Sequence, residues 1–224
     1  MQKLIYSQDR VAEARYIRGC WYNGESIDRT PFVYTVNDGK NAPYNYAKMC
    51  ADSKFAAESV LHALQRQLNA FPDCDFLPII DVAYLGQGIL AAIYGAKQYL
   101  VESAPPFTEG RLFDDIYEAA GLTNNFDMEK TEWCGILKEH ILRLMDATGW
   151  RLPIGAPDYQ SPYGTATKLL PNEDLMMAMY DEPELTRQFL DTITDGIIML
   201  SDIIVKWVGE DKYAHNRSNP VPGK

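Results

Sequence analysis

The chain has 224 residues, 46% hydrophobic and 23% charged, which excludes disorder and collagen-like repeats and supplies a core of ordinary size. Asp and Glu number 31 against 21 Lys and Arg, a formal net charge of −10. A surface this acidic repels a phosphate backbone and anionic lipid, so neither nucleic acid nor a membrane is an expected partner.

The opening MQKLIYSQDR has no basic segment followed by an apolar run. No stretch approaches the roughly eighteen uninterrupted apolar residues that span a bilayer, so a soluble, cytoplasmic chain is expected. Cys20, Cys50, Cys74 and Cys134 are far apart and form no C-x-x-C pair. At this size and spacing they read as reduced, packed thiols rather than a disulfide framework or zinc knuckle.

In chain order, QDRVAEARYIRGCW predicts an outer helix with a mixed apolar face. Phe32 to Val36 is a β-rich run bounded by Pro31 and the turn Asn37-Asp38-Gly39, read as a buried strand. Asp52 or Ser53 caps a helix to about Ala70, whose stripe includes Phe55, Ala56, Val60, Leu61, Leu64 and Leu68. Phe76 to Ala83 predicts a second strand, followed by the small-residue segment GQGILAAIYGAK. Pro105 to Asn125 reads as loop with two short helical pieces.

Thr131 caps the next helix, with Trp133, Leu137, Ile141 and Leu144 or Met145 facing inward and Gly149 closing it. Arg151 to Ala156 predicts a third buried strand, and Pro157 to Pro171 a loop rich in turn formers and hydroxyls. A short helix from Leu175 to Tyr180 follows, its Met176, Met177 and Met179 read as core filler. Pro183 opens the last helix, where Leu185, Phe189, Ile193, Ile197, Leu200, Ile204 and Trp207 give the strongest periodicity in the chain.

Strand, loop and crossover helix therefore alternate, the pattern of an α/β fold with parallel strands, open or closed into a barrel. No G-x-G-x-x-G and no P-loop occurs, which lowers the nucleotide-binding option. An eight-unit barrel takes around 250 residues, and about four or five units can be placed here. The expectation is the N-terminal portion of a longer protein, with residues 1–30 a helical extension and 31–224 the first half of a barrel.

Loops at the carboxyl ends of parallel strands carry function on such folds. That nominates Asn37, Asp38 and Lys40 after the first strand, Asp81 and Tyr84 after the second, and Asp158, Tyr159, Gln160 and Tyr163 after the third. Asn-Asp-Gly is also a common turn, and Asp81 is also placed to cap the segment that follows it. His62 and His140 lie within helices and read as packed or exposed residues rather than ligands, while His215 stands at the end of a tail strand. Ser161 is not in a G-x-S-x-G elbow.

The block LPIGAPDYQSPYGTATKLLPNEDLMMAMYDEPELTRQFLDTITDGII resembles the uroporphyrinogen decarboxylase superfamily. The likeness rests on Gly155-Ala156-Pro157, on Leu175 to Tyr180, on Asp181-Glu182-Pro183-Glu184 and on Phe189 to Asp195. The opening DRVAEA, the PFVY run and Tyr94-Gly95-Ala96 also fit. The resemblance implies a (β/α)8 TIM barrel, incomplete in this chain, and a small-molecule substrate.

Decarboxylases of the superfamily place an Arg-Gln-Ala-Gly-Arg loop after the first strand to hold substrate carboxylates. The matching stretch here is Val36-Asn37-Asp38-Gly39-Lys40, where valine and lysine replace the arginines, and lysine lacks the planar fork. The position of the decarboxylase aspartate falls near Gly86, with Asp81 the nearby substitute, whereas the tyrosine after Gly-Ala-Pro is matched by Tyr163. An acidic chain without the arginine pair suits a tetrapyrrole polycarboxylate poorly. The resemblance thus points first to the methyltransferase branch, which implies a corrinoid, a corrinoid protein as methyl donor, and zinc held by a later His-x-Cys and Cys outside this chain. Porphyrin-pathway decarboxylation, which requires no cofactor, is the second reading. A non-catalytic half-barrel completed by another chain is the third, and a homodimer stays open. Tyr163 and Asp81 are the expected catalytic residues; Asn37, Lys40, Tyr84, Asp158, Tyr159 and Gln160 are expected to bind substrate.

Overall fold

The computed structural model describes residues 4–34 and 44–214. Helix α1 (Gln8–Tyr22) starts where the Ser7 hydroxyl accepts the Arg10 N–H. Helix α2 (Tyr46–Ala51) ends at Asp52, which in turn caps α3 (Ser53–Ala70) by accepting from the Lys54 and Phe55 amides, both at 3.0 Å. Those main-chain donors hold the Asp52 carboxyl below its ordinary range. Short elements follow: α4 (Ile89–Ile93), β1 (Gln98–Tyr99), β2 (Phe107–Thr108) and α5 (Ile116–Ala119). Thr131 caps α6 (Glu132–Ala147), and Gly149 leaves it in the left-handed region. Strand β3 (Ile154–Gly155), α7 (Pro162–Ala166), α8 (Asn172–Asp181), α9 (Pro183–Val208) and β4 (Tyr213–Ala214) complete the order.

The structure is mostly helical around a small parallel array. Ile80 bridges Ile154 in parallel, and β3 pairs with β4 with Ile154 opposite Tyr213 and Gly155 opposite Ala214. The main-chain bonds around this array include Ile80 N to Pro153 O (2.9 Å), Gly155 N to Ile80 O (2.9 Å) and Ala156 N to Ala214 O (3.0 Å). Helix α6 connects the first strand of this array to the second, and α9 the second to the third, as parallel pairing requires. Helix α6 packs against both α3 and α9. Leu137, Ile141 and Leu144 of α6, Phe189, Ile193 and Leu200 of α9, and Ile80, Ile154 and Tyr213 form one buried core.

Register decides which way the site faces. The Tyr213 hydroxyl reaches Ser201 on α9, so the row Ile80, Ile154 and Tyr213 lies on the α9 side of the array. Side chains alternate along a strand, which turns the next row, Asp81, Gly155 and Ala214, to the opposite face.

Several expectations change. Among the described residues the strands do not close into a barrel. The run read as a buried first strand has no ladder over its described part, and Phe32, Val33 and Tyr34 are exposed. Phe32 instead exchanges main-chain and side-chain bonds with Asp75, and Gln67 takes the Tyr34 carbonyl. An apolar run needs a ladder partner before it becomes a strand. The antiparallel hairpin β1–β2 lies at the edge of a stretch read as loop. Met176, Met177 and Met179 are exposed rather than core, because α8 buries only Leu175 and Ala178. No helix among the described residues is long and apolar enough to cross a membrane.

Candidate functional site

Parallel register brings the segments after Ile80 and Gly155 out at one edge of the array. Asp81 is the first charged residue on that rim, half-buried, its Oδ1 accepting the Ala83 amide at 2.5 Å. Gly155 and Ala214, which pair with each other in the ladder, follow Ile154 and Tyr213 as Asp81 follows Ile80. Asp81 also borders a cavity of about 520 Å³ whose described lining includes Tyr44, Tyr46, Met49, Phe76, Tyr84 and Pro105. Such a site pairs one anionic side chain with aromatic and aliphatic walls in an open cleft.

Tyr84 sits in the 3-10 turn after Asp81, and its hydroxyl lies 2.8 Å from Nδ1 of His140 on α6. The Cys50 thiol approaches the Tyr84 carbonyl at 3.7 Å. Burial first, then the charges of Cys50 and Asp81, push the Tyr84 phenol well above its ordinary value. Burial likewise drives His140 down, against smaller opposing effects of Glu139, the Cys50 main chain and Asp52. The pair is therefore neutral at physiological pH, a hydrogen-bonded clamp rather than a base. The Cys50 and Cys134 thiols are pushed up to about 11, mainly by burial, and all four cysteines are buried and unbridged.

The segment after β3 divides its polar groups between two tasks. Tyr159 is buried, its hydroxyl 2.9 Å from that of Tyr213 and within reach of Ser201, while its carbonyl accepts from Thr165 at 2.6 Å. Burial holds both phenols above their ordinary value and so protonated. Gln160 adopts φ 62°, a left-handed conformation costly for a side chain of its size, and its Nε2 donates to Asp158 Oδ1 at 2.6 Å. Tyr163, in α7, is exposed, and its hydroxyl donates to Asn172 Oδ1 at 2.6 Å.

Of the predicted site residues, Asp81 and Tyr84 meet at one cavity, and Asp158 pairs with Gln160. Tyr163 emerges from the same edge of the array but is not among the residues lining that cavity, and Tyr159 turns into the core. Asn37, Asp38, Lys40 and His215 lie outside the described residues. Sequence reasoning missed the partners, His140, Ser201 and Tyr213. His140 stood on the inward face of its helix beside Leu137 and Ile141, which marks a packed residue but names no contact.

No protein-family model matches the chain, and no curated protein matches it significantly. Among solved structures it is similar to a methyltransferase from Methanosarcina mazei, with a TM-score of 0.63 at 18% identity. The match covers 86% of this chain and 55% of that one, so the chain spans about half the length of this neighbour. At that identity the likeness establishes a shared fold.

Proposed function

We propose that this chain forms the N-terminal portion of a (β/α)8 methyltransferase of the uroporphyrinogen decarboxylase superfamily. Such an enzyme moves a methyl group between a corrinoid and a thiol or similar acceptor. The observation that carries this reading is the structural likeness to a methyltransferase along most of the chain. The loss of the arginine pair at Val36 and Lys40 supports it against a polycarboxylate substrate.

Asp81 holds a donor group of the substrate, with the aromatic and aliphatic wall beside it packing on the apolar part. Tyr163, by the resemblance, contacts the substrate from the loop after β3. The aromatic and aliphatic wall suits the edge of a flat macrocycle, which when bound supplies the methyl group as an electrophile. Among the described residues, no three His, Cys, Asp or Glu side chains come together to hold a metal. The zinc that the methyltransferase branch implies has no ligand set among them, and no step is routed through it.

The test is the full-length protein with methylcobalamin and a panel of small thiols, followed by absorbance and by mass detection of the methyl thioether. Methyl transfer above the protein-free rate is expected. Coproporphyrinogen formed from uroporphyrinogen without methyl transfer overturns the proposal in favour of decarboxylation; neither product overturns it in favour of a non-catalytic barrel.

A further inference from the structure

Helix α8 (NEDLMMAMYD) is an unusual surface element. It buries Leu175 and Ala178 but leaves Met176, Met177 and Met179 57%, 61% and 47% exposed and Tyr180 87% exposed. Tyr180 is four residues from Met176 and three from Met177, so the three share one side of the helix. Glu173 stands one turn before Met176, Asp174 one turn before Met177, and Asp181 one turn after Met177. The helix has no basic residue, and Arg187 in the first turns of α9 is paired with Glu184 at 2.5 Å.

Flexible, polarizable thioethers in water are a poor way to finish a surface and a good way to receive a partner of variable shape. The acidic rim selects among occupants. A second copy packed on the same face would oppose identical carboxylates in a chain of net charge −10, and anionic lipid would meet the same repulsion. A cationic amphipathic helix satisfies both features, laying its apolar side on the methionines and its lysines or arginines along the rim.

We propose that the exposed face of α8 docks a cationic amphipathic helix of a partner protein. The Met176 sulfur is reached by the Asn172 amide at 3.6 Å, and Asn172 accepts from Tyr163. The docking face therefore begins next to the loop that leaves β3. This inference does not depend on the reaction the protein performs.

The experiment labels the methionine methyls with carbon-13 and titrates the full-length protein with a synthetic helix of leucine and lysine at amphipathic spacing. Saturable shifts of the Met176, Met177 and Met179 methyls are expected, with Met49, Met128 and Met145, all fully buried, unmoved. A peptide with glutamate in place of lysine leaves every methyl unmoved. The double variant Met177→Ser with Tyr180→Ser weakens binding about tenfold with an unchanged melting temperature, since both residues are exposed. Equal affinity in that variant overturns the proposal. So do shifts that follow protein concentration alone, which place a second copy on the face, and shifts that need anionic vesicles, which place a membrane there.

Discussion

The hydroxyl of Tyr84 and the Nδ1 of His140 are 2.8 Å apart, joining the rim beside Asp81 to the middle of α6 across 56 residues of sequence. Both groups are buried, so each would be left unpaired if the other were removed. Tyr84→Phe should cost about 1–2 kcal/mol in urea unfolding, and His140→Phe a similar amount. The double variant should cost less than the sum, the mark of a direct contact.

The same pair makes stability depend on pH. Burial holds the folded His140 ring below its ordinary value, so the unfolded chain binds the proton more readily. The contribution is complete above the ordinary histidine value of about 6.5 and is lost as pH falls below it. The urea midpoint of the wild type should drop between pH 8 and pH 5.5, and His140→Phe should flatten that drop.

Asp75 is fully buried, and Arg29 grips both of its oxygens at 2.5 and 2.7 Å while the Phe32 amide donates at 2.9 Å. Burial alone would raise its carboxyl, but Arg29 and Phe32 outweigh it and hold it below the ordinary range. Asp75→Asn should destabilise by about 2–3 kcal/mol, less than a fully buried pair because Arg29 keeps part of its surface in water. A depressed carboxyl contributes above its unfolded value of about 3.9 and loses that contribution below it. Wild type and variant should therefore converge in stability in acid below about pH 4, outside the histidine window.

Two helical glycines should respond oppositely to alanine. A Cβ at Gly196 on α9 would lie 1.9 Å from the Tyr94 hydroxyl, which is itself bonded to Asn124 at 2.8 Å. Gly196→Ala should cost about 1–3 kcal/mol, with part restored by Tyr94→Phe. Gly135 on α6 is exposed and has nothing within 4 Å of such a Cβ. Gly135→Ala should stabilise by about 0.5–1 kcal/mol in thermal unfolding.

Asp81→Asn keeps the acceptor that holds the Ala83 amide but removes the charge facing the cavity. Folding should be nearly unchanged, while kcat/KM for the proposed methyl transfer falls by at least about tenfold. Tyr163→Phe should leave stability within about 0.5 kcal/mol, because its hydroxyl bond to Asn172 is at the surface. A rise in KM would then report its contact with substrate.

Helix limits were legible because their signals are local. Asp52 and Thr131 each cap a helix within three residues of their own position, and Pro183 begins α9 where its missing N–H costs nothing. The periodicities named Leu137, Ile141 and Leu144 or Met145 of the buried face of α6, and Phe189, Ile193, Leu200 and Ile204 of that of α9, for the same reason. The rim was legible in part, since strand order and parallel pairing place Asp81 and the loop after Gly155 at one edge.

What amino-acid order alone determined, then, is the capped helices, their apolar stripes and the alternation that makes parallel strands necessary. The tertiary structure decided that Tyr159 turns inward to Tyr213 while Tyr163 stays out, that His140 meets Tyr84, and that the methionines of α8 face water. Caps and stripes depend on neighbours within one or two turns of chain. These last choices depend on which distant element occupies the space beside a side chain, and burial of a polar group is settled only when that neighbour supplies its hydrogen-bond partner.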